Sequence, residues 1–176
     1  MNDTDPILTQ IDDTLAAHQA GDVYADDSIS IDAMRWTTNP GAGSPFGETI
    51  DTYRRAQAIA DGLLVEVAEE ITREAGFTVP VAVTAAAWAD CVAWSAADNQ
   101  RKGTVQDEQG RLWDVLWMTR CAIRRAPRGT ERVPVHLHRA PRDGRDVRPQ
   151  PVTLMARCGP GDHGEPVIAI MQPGED

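Results

Sequence analysis

Residues 110–126, GRLWDVLWMTRCAIRRA, are apolar on nearly every side of a helical wheel. Asp114 is the main exception within this stretch. A helix that is apolar nearly all round is normally buried rather than lying on a surface. We therefore expect the fold to be built around this helix, with the indole rings of Trp113 and Trp117 in a dry interior.

A second helix is predicted upstream, over residues 85–97, with Thr84 as a suitable N-cap. The residues spaced to face a core are Trp88, Cys91, Val92 and Trp94. Residues 98–110 are polar and contain glycine, which predicts an exposed connection to the central helix, residues 111–125. Two helices joined in this way pack side by side as an antiparallel pair.

Beyond residue 131 the apolar period changes from that of a helix to the two-residue alternation of a strand. The predicted strands are residues 132–139, 151–158 and 166–172, with residues 63–67 as a candidate fourth. Turn-rich segments separate the later strands, as in an antiparallel meander. The predicted fold is α+β: an antiparallel three- to four-stranded sheet packed against the helical pair 85–97 and 111–125.

The chain divides into an N-terminal arm, residues 1–44, and a single α+β domain, residues 45–176. Residues 6–19 have helical spacing, and residues 22–43 resemble a linker, with Asp26, Asp27 and Ser28 near the start and NPGAG at the end. Within the linker, ISIDAMRW at residues 29–36 is too apolar for a spacer and predicts a docking motif, either for this chain's own domain or for a partner. Its partner-binding candidates are Ile29, Ile31, Met34, Arg35 and Trp36.

The chain is acidic, with a formal net charge of −10 that is unevenly distributed. Residues 1–60 carry −7, residues 61–110 carry −6 and residues 111–176 carry +3. The first residues lack a basic signal-peptide start, and no apolar run approaches the length of a membrane span. Three cysteines cannot all pair within the chain, which favours a reducing compartment. We expect a cytoplasmic protein without membrane contact.

Two histidines, His136 and His138, project from one face of the strand 132–139, because alternate residues of a strand point the same way. With Cys158 and His163 from the next hairpin they are residue types that bind zinc. Zinc sites usually show tighter paired spacings, so a solvated strand face is the favoured interpretation. Neither a metal nor a cofactor is predicted.

The turn CGPGDHGEP, residues 158–166, is a second candidate site. Its amide groups can face an anion, and Asp162 and Glu165 can act as acid and base. Glycine and proline are equally what a hairpin connection needs, so a structural turn is favoured. Ligand binding or hydrolysis by Asp162 and Glu165 beside His136 and His138 is kept as an alternative, and no catalytic residue or enzyme class is indicated.

The region from residue 120 to residue 148 is rich in arginine. Arginines clustered on one face bind nucleic-acid phosphates with a steep salt dependence. This region contains no aromatic residue on which bases would stack, and its arginines can also neutralise the acidic half of the chain. Nucleic-acid binding is therefore an alternative behind protein binding.

Four blocks of the sequence, in order, resemble a family of uncharacterised bacterial proteins carried on plasmids, integrative elements and phages. The blocks are FGETIDTYRRAQAIADGLLVEV (46–67), EITREAGFTVPVAVTAAAW (70–88), GRLWDVLWM (110–118) and CGPGDHGEPVIAIMQPGED (158–176). The resemblance implies a mobile-element setting and an aspartate where this chain has His163. It implies no chemistry.

These observations predict a non-enzymatic accessory or anti-defence-type protein of a mobile genetic element. It would act by binding a host or element protein through the acidic arm and the segment 29–36. An array of carboxylates can imitate a nucleic-acid backbone, although excess negative charge also serves ordinary solubility.

Overall fold

The computed structural model describes residues 55–175, which form an α+β fold with a five-stranded mixed sheet. The strands are β1 (Leu64–Glu66), β2 (Val81–Thr84), β3 (Arg132–Arg139), β4 (Gln150–Pro160) and β5 (Pro166–Met171). Their order across the sheet is β1-β2-β5-β4-β3. The helix predicted at residues 6–19 and the docking segment 29–36 lie outside the described residues.

The prediction of a purely antiparallel sheet with three or four strands was wrong at β2. This strand lies inside the sheet and pairs in parallel with β5, with Val81 opposite Ile168. Three of its four residues are buried, which fits the continuous apolar runs of parallel strands. The strand has only four residues between Pro80 and the helix that begins at Ala85, which is too few to show the two-residue period of a strand. Its parallel partner β5 lies far away in sequence, so the pairing could not be predicted either.

The helices of the described part are six in all, including one π-helical turn. They are α1 (Arg55–Ala60), α2 (Glu69–Glu74), α3 (Ala85–Ala87), the π-helical turn Trp88–Val92, α4 (Ala96–Lys102) and α5 (Glu108–Arg125). Thr84 caps α3 as predicted, since its side chain accepts a hydrogen bond from Ala87 N. The single helix predicted over residues 85–97 is instead three segments, because the chain turns extended at Ala93 after the π-helical turn.

Residues 98–110 are largely exposed, as their polarity predicted, but they are not an irregular connection: α4 extends to Lys102 and α5 begins at Glu108. Ser95 and Asp98 form a capping box at its start, and Gly103 ends it in the left-handed conformation at φ 63°. Lys102, the only lysine of the chain, is buried and donates to the carbonyls of Asp143 and Asp146. Polar contacts rather than an apolar stripe hold α4, so hydrophobic periodicity could not reveal it.

The central helix α5 is buried along one face only, and the prediction of a helix buried all round was wrong. Leu116 and Val115 are fully buried, whereas Trp113 is half-buried and 38% of Trp117 is exposed. The two indole rings stack at 6.4 Å between centroids. Stacking shields part of their apolar surface from water. The tryptophans therefore lie at the surface edge of α5 rather than between a helix and the sheet.

The core lies between one face of the sheet, here called the core face, and α5 with the π-helical turn. Strand alternation sends Val133, Val135 and Leu137 of β3 onto this face. The other buried side chains of the same layer include Leu154, Ala156, Ile168, Ile170, Cys91, Val92, Leu112 and Ile123. The opposite side of the sheet, the outer face, carries no comparable helical layer among residues 55–175.

Candidate functional site

The outer face is defined by the strand register. Ala169 of β5 is paired with Ala82 of β2 on one side and with Arg157 of β4 on the other. Leu64 of β1 lies on the same face as Ala82. Their neighbours in sequence point into the core, so these side chains face the other way. The outer face is therefore mainly apolar across β1, β2 and β5, with Glu66 of β1 as a charged exception.

A groove of about 670 Å³ runs along this apolar part of the outer face. Its floor is formed by Ala82, Val167, Ala169 and Met171, and its wall by Ala58 of α1 together with Leu63 and Leu64. Leu63 is 55% exposed, which is unusual for a leucine in this fold. A groove of this volume is large enough for a small molecule or for several side chains of a peptide.

The rim of the groove carries charge. Arg55 donates to Glu66 at 2.9 Å between Nη1 and Oε1. The Glu175 carboxylate accepts hydrogen bonds from Thr84 Oγ1 at 2.8 Å and from the amide of Gln172 at 2.6 Å. Arg157 is exposed at the edge of the groove. Arg55 is thus paired with Glu66, and Glu175 accepts hydrogen bonds from Thr84 and Gln172. Arg157 therefore gives the rim a cation that can form an ion pair with a carboxylate of a binding partner.

The turn between β4 and β5 closes one end of the groove. Asp162 Oδ2 accepts a hydrogen bond of 2.9 Å from the amide of Ala56, in the first turn of α1. Glu165 accepts from the amide of His163 at 2.9 Å, and a Cβ at Gly161 would collide with its carboxylate. Both candidate carboxylates thus bind backbone amides, and Asp162 positions the helix that forms the groove wall.

His136 and His138 are exposed on the outer side of β3, at the far edge of the sheet from the groove. His136 Nδ1 lies 3.0 Å from Thr153 Oγ1. The seven residue steps from Thr153 to Pro160 span roughly 23 Å of strand, so the histidines and the turn carboxylates do not come together. Within residues 55–175 no three His, Cys, Asp or Glu side chains are arranged to hold a metal ion.

A polar cluster surrounds the π-helical turn. Asp90 binds Arg139 at 2.5 Å between Oδ1 and Nη2, and accepts from Gln172 Nε2 at 3.3 Å. π-Helical turns often mark functional sites. Burial, followed by the nearby Asp90 charge, raises the pKa of the Cys91 thiol to about 11. A thiol held so strongly in its protonated form is a poor nucleophile, which favours a structural role for the cluster.

Arg111, at the start of α5, was not singled out from the sequence, although it is one of the best-connected buried side chains. Its guanidinium donates to the backbone carbonyls of Val92 at 3.2 Å and Ala140 at 3.2 Å, and lies 4.6 Å from the ring centre of Trp94. Burial lowers its pKa. Arg111 thereby satisfies the Val92 carbonyl at the end of the π-helical turn and the Ala140 carbonyl just after β3, a need that no sequence pattern reveals.

The arginines of residues 120–148 do not form one continuous surface. Arg120 is buried and its guanidinium lies 5.2 Å from the ring centre of Trp117. Arg139 binds Asp90, and Arg142 Nε donates to Asp98 at 3.2 Å. Three of these cations are thus engaged within the domain, while others remain at the surface. This distribution favours ion pairing within the chain over a phosphate-binding face.

None of the helices in the described region is both long enough and apolar enough to cross a bilayer.

Comparisons with known proteins give a family and no activity. No curated protein matches the chain. No solved structure matches it either. A family of unknown function, DUF6573, matches residues 45–176, which is most of the chain. The resemblance to an uncharacterised family is therefore confirmed, and the chain belongs to the family of unknown function DUF6573.

Proposed function

We propose that this protein acts by protein–protein binding, and that the groove on the outer face is its binding surface. The observation that supports this most is the composition of the groove: the exposed Leu63 and the half-buried Ala169 lie in the same groove as the exposed cation of Arg157. Apolar surface supplies binding energy, and arginine is enriched where binding energy concentrates in interfaces.

The chemistry of the groove selects its partner. An apolar floor takes aliphatic or aromatic side chains, and a rim arginine pairs with a carboxylate in a defined, bidentate geometry. The partner segment is therefore a short apolar stretch that carries an acidic residue near one end. Among residues 55–175, β1 is an edge strand beside the groove, and an extended segment can add to such an edge.

The accessory or anti-defence role in a mobile element belongs to the same proposal. It is supported by the resemblance to plasmid, integrative-element and phage proteins and by the acidic N-terminal arm. A host or element protein in the same cell is the expected partner. The alternative of ligand binding or hydrolysis at the 159–166 turn has less support, because Asp162 and Glu165 already accept backbone amides.

A site-specific photocrosslinker tests the proposal in the full chain. The probe replaces Leu63, an exposed residue of the groove wall, or Val105, which is 96% exposed and does not line the groove. Both variants are expressed in the host from which the chain comes, and crosslinked proteins are identified by mass spectrometry. We expect a host or element protein to crosslink to position 63 and not to position 105.

Two results would contradict the proposal. One is capture of the same protein from both positions, which means contact without regard to the groove. The other is capture from position 105 alone. A partner captured at position 63 should also disappear when Arg157→Glu reverses the rim charge, whereas Arg148→Glu, an equally exposed change in the β3–β4 connection, should leave it in place.

A further inference from the structure

We infer that the resting occupant of the groove is this chain's own segment 29–36, ISIDAMRW, which a partner must displace. The inference rests on the proposed function, since it names how the same groove is regulated. It follows from where the described chain begins, from the charge of the residues before it and from the chemistry of the segment.

The first described residue, Arg55, lies at the groove. Arg55 and Ala58 both line it, so any segment before Arg55 is tethered at the groove rim. Eighteen residues, 37–54, separate the segment from Arg55. A flexible chain of that length spans about 23 Å on average and roughly 60 Å when fully extended. The segment therefore reaches any point of the groove without strain.

The charges on the two sides are complementary. Residues 1–54 contain ten carboxylates and only two arginines, Arg35 and Arg54. Asp26, Asp27 and Asp32 lie within or just before the segment. The outer face presents the exposed Arg157, while Arg55 and Glu66 at the rim pair with each other. Opposite charge on the two surfaces steers the segment toward this face.

The apolar residues of the segment suit the floor. Ile29 and Ile31 alternate with polar residues, so an extended segment turns both to one side. Trp36 adds an aromatic anchor of the kind that fills pockets in interfaces. The floor combines the small side chains Ala82 and Ala169 with Val167 and Met171, and the groove volume of about 670 Å³ gives room for such anchors. The segment thus has the composition that the groove selects in a partner.

Attachment to the same chain makes docking favourable even when intrinsic affinity is modest. A short flexible linker gives an effective concentration in the millimolar range. A segment with a dissociation constant of about 10 to 100 µM as a free peptide would then fill the groove most of the time, and would weaken a competing ligand about 10- to 100-fold.

Competition by a free peptide measures this occupancy. A fluorescent peptide of residues 25–38 is titrated with the full chain and with Ile31→Asp/Trp36→Asp, which ejects the segment. Thr37→Asp/Thr38→Asp adds the same charge beside the segment and is the matched control. We expect the peptide to bind the ejected variant about 10- to 100-fold more tightly than the wild type or the control. Adding Arg157→Glu to the ejected variant should abolish the gain, and adding Arg148→Glu should not.

Crosslinking of the purified full chain supplies a second readout. The photocrosslinker at position 63 should join residues 29–36 of the same chain, and mixing isotope-labelled with unlabelled protein distinguishes this from joining a second copy. Equal peptide affinity in the wild type and the ejected variant would overturn the inference, as would crosslinks formed only between copies. If either of these results is obtained and a host protein is still captured at position 63, the proposed function stands and this inference falls. If only the intrachain crosslink forms, docking of the segment stands and partner binding at the groove falls.

Discussion

The two faces of the sheet follow the same alternation of side chains but meet different surroundings. On the core face, Val135, Leu154 and Ile170 are fully buried beneath α5 and the π-helical turn. On the outer face, the far edge carries exposed histidines, and the apolar part near β1 forms an open groove. Apolar side chains along a strand therefore identify a buried face of the sheet only where a helix or another segment packs on that face. In the described part of the chain, the outer face leaves Leu63 largely open to solvent beside the groove.

The largest expected difference between the two faces is the cost of removing a leucine side chain. Leu116→Ala, in the core beneath the sheet, should lower the free energy of unfolding by about 2 to 5 kcal/mol, because it removes apolar contacts and leaves a cavity. Urea unfolding followed by circular dichroism measures the loss.

Leu63→Ala is the matched change on the groove wall. In the Ile31→Asp/Trp36→Asp background, where the groove is open, it should cost less than about 1 kcal/mol, since Leu63 is 55% exposed. A loss as large as that of Leu116→Ala would mean that both faces are equally buried, and the distinction between them would fail.

A smaller and pH-dependent effect is expected where α4 is attached to the helical side of the domain. Hydrogen bonding from Ser95, and then contact with Arg101 and Arg142, lowers the pKa of Asp98 from 3.8 to about 2. A carboxyl with a lower pKa in the folded state stabilises the fold above about pH 4, and this contribution is lost as the pH falls towards 2. Asp98→Asn should therefore lower the urea midpoint at pH 7 and have little effect near pH 2.

The test compares unfolding of the wild type and Asp98→Asn at pH 7, 4, 3 and 2. A difference between the two proteins that stays constant down to pH 2 would contradict the role of the Asp98 charge. Asn can still accept the hydrogen bond from the Ser95 amide, so the substitution removes the charge of Asp98 while leaving that part of the capping box in place.

The smallest expected effect is chemical and leaves the fold unchanged. Cys91 and Cys158 are buried, and burial raises the pKa of both thiols, whereas Cys121 is only half-buried. Iodoacetamide at pH 8 should therefore modify Cys121 first in the folded chain and reach Cys91 and Cys158 only after urea is added. Peptide mapping by mass spectrometry gives the order. Early labelling of Cys91 would show that the π-helical turn opens far more readily than the core beside it.

Sequence patterns predicted strands correctly where apolar residues alternate with a period of two and one face of the strand packs on the core. Strand β3 occupies the predicted residues, and β4 and β5 differ from prediction by one or two residues at their ends, because each alternates against the core. The patterns failed for α4 and β2. The first is held by a capping box and buried polar contacts, and the second is a four-residue strand whose partner lies far away in sequence.

The groove was not predicted, yet one signal for it was present. PVIAIM in β5 is apolar on both sides of the strand, which indicates that neither face is fully solvated. Which elements flank the second face depends on where α1 and the β4–β5 turn meet. The Asp162 to Ala56 hydrogen bond that fixes this meeting joins residues 106 positions apart. No local pattern contains that information.

The amino-acid sequence by itself determined the α+β class, most of the strands and the excess of acid before residue 61, because periodicity and charge are properties of neighbouring residues. Only the tertiary structure decided that Trp117 lies at the surface, that Lys102 and Arg111 are buried on backbone carbonyls, and that an apolar groove remains open beside α1. Burial is set by which elements meet in space, and a side chain's own chemistry does not specify its neighbours.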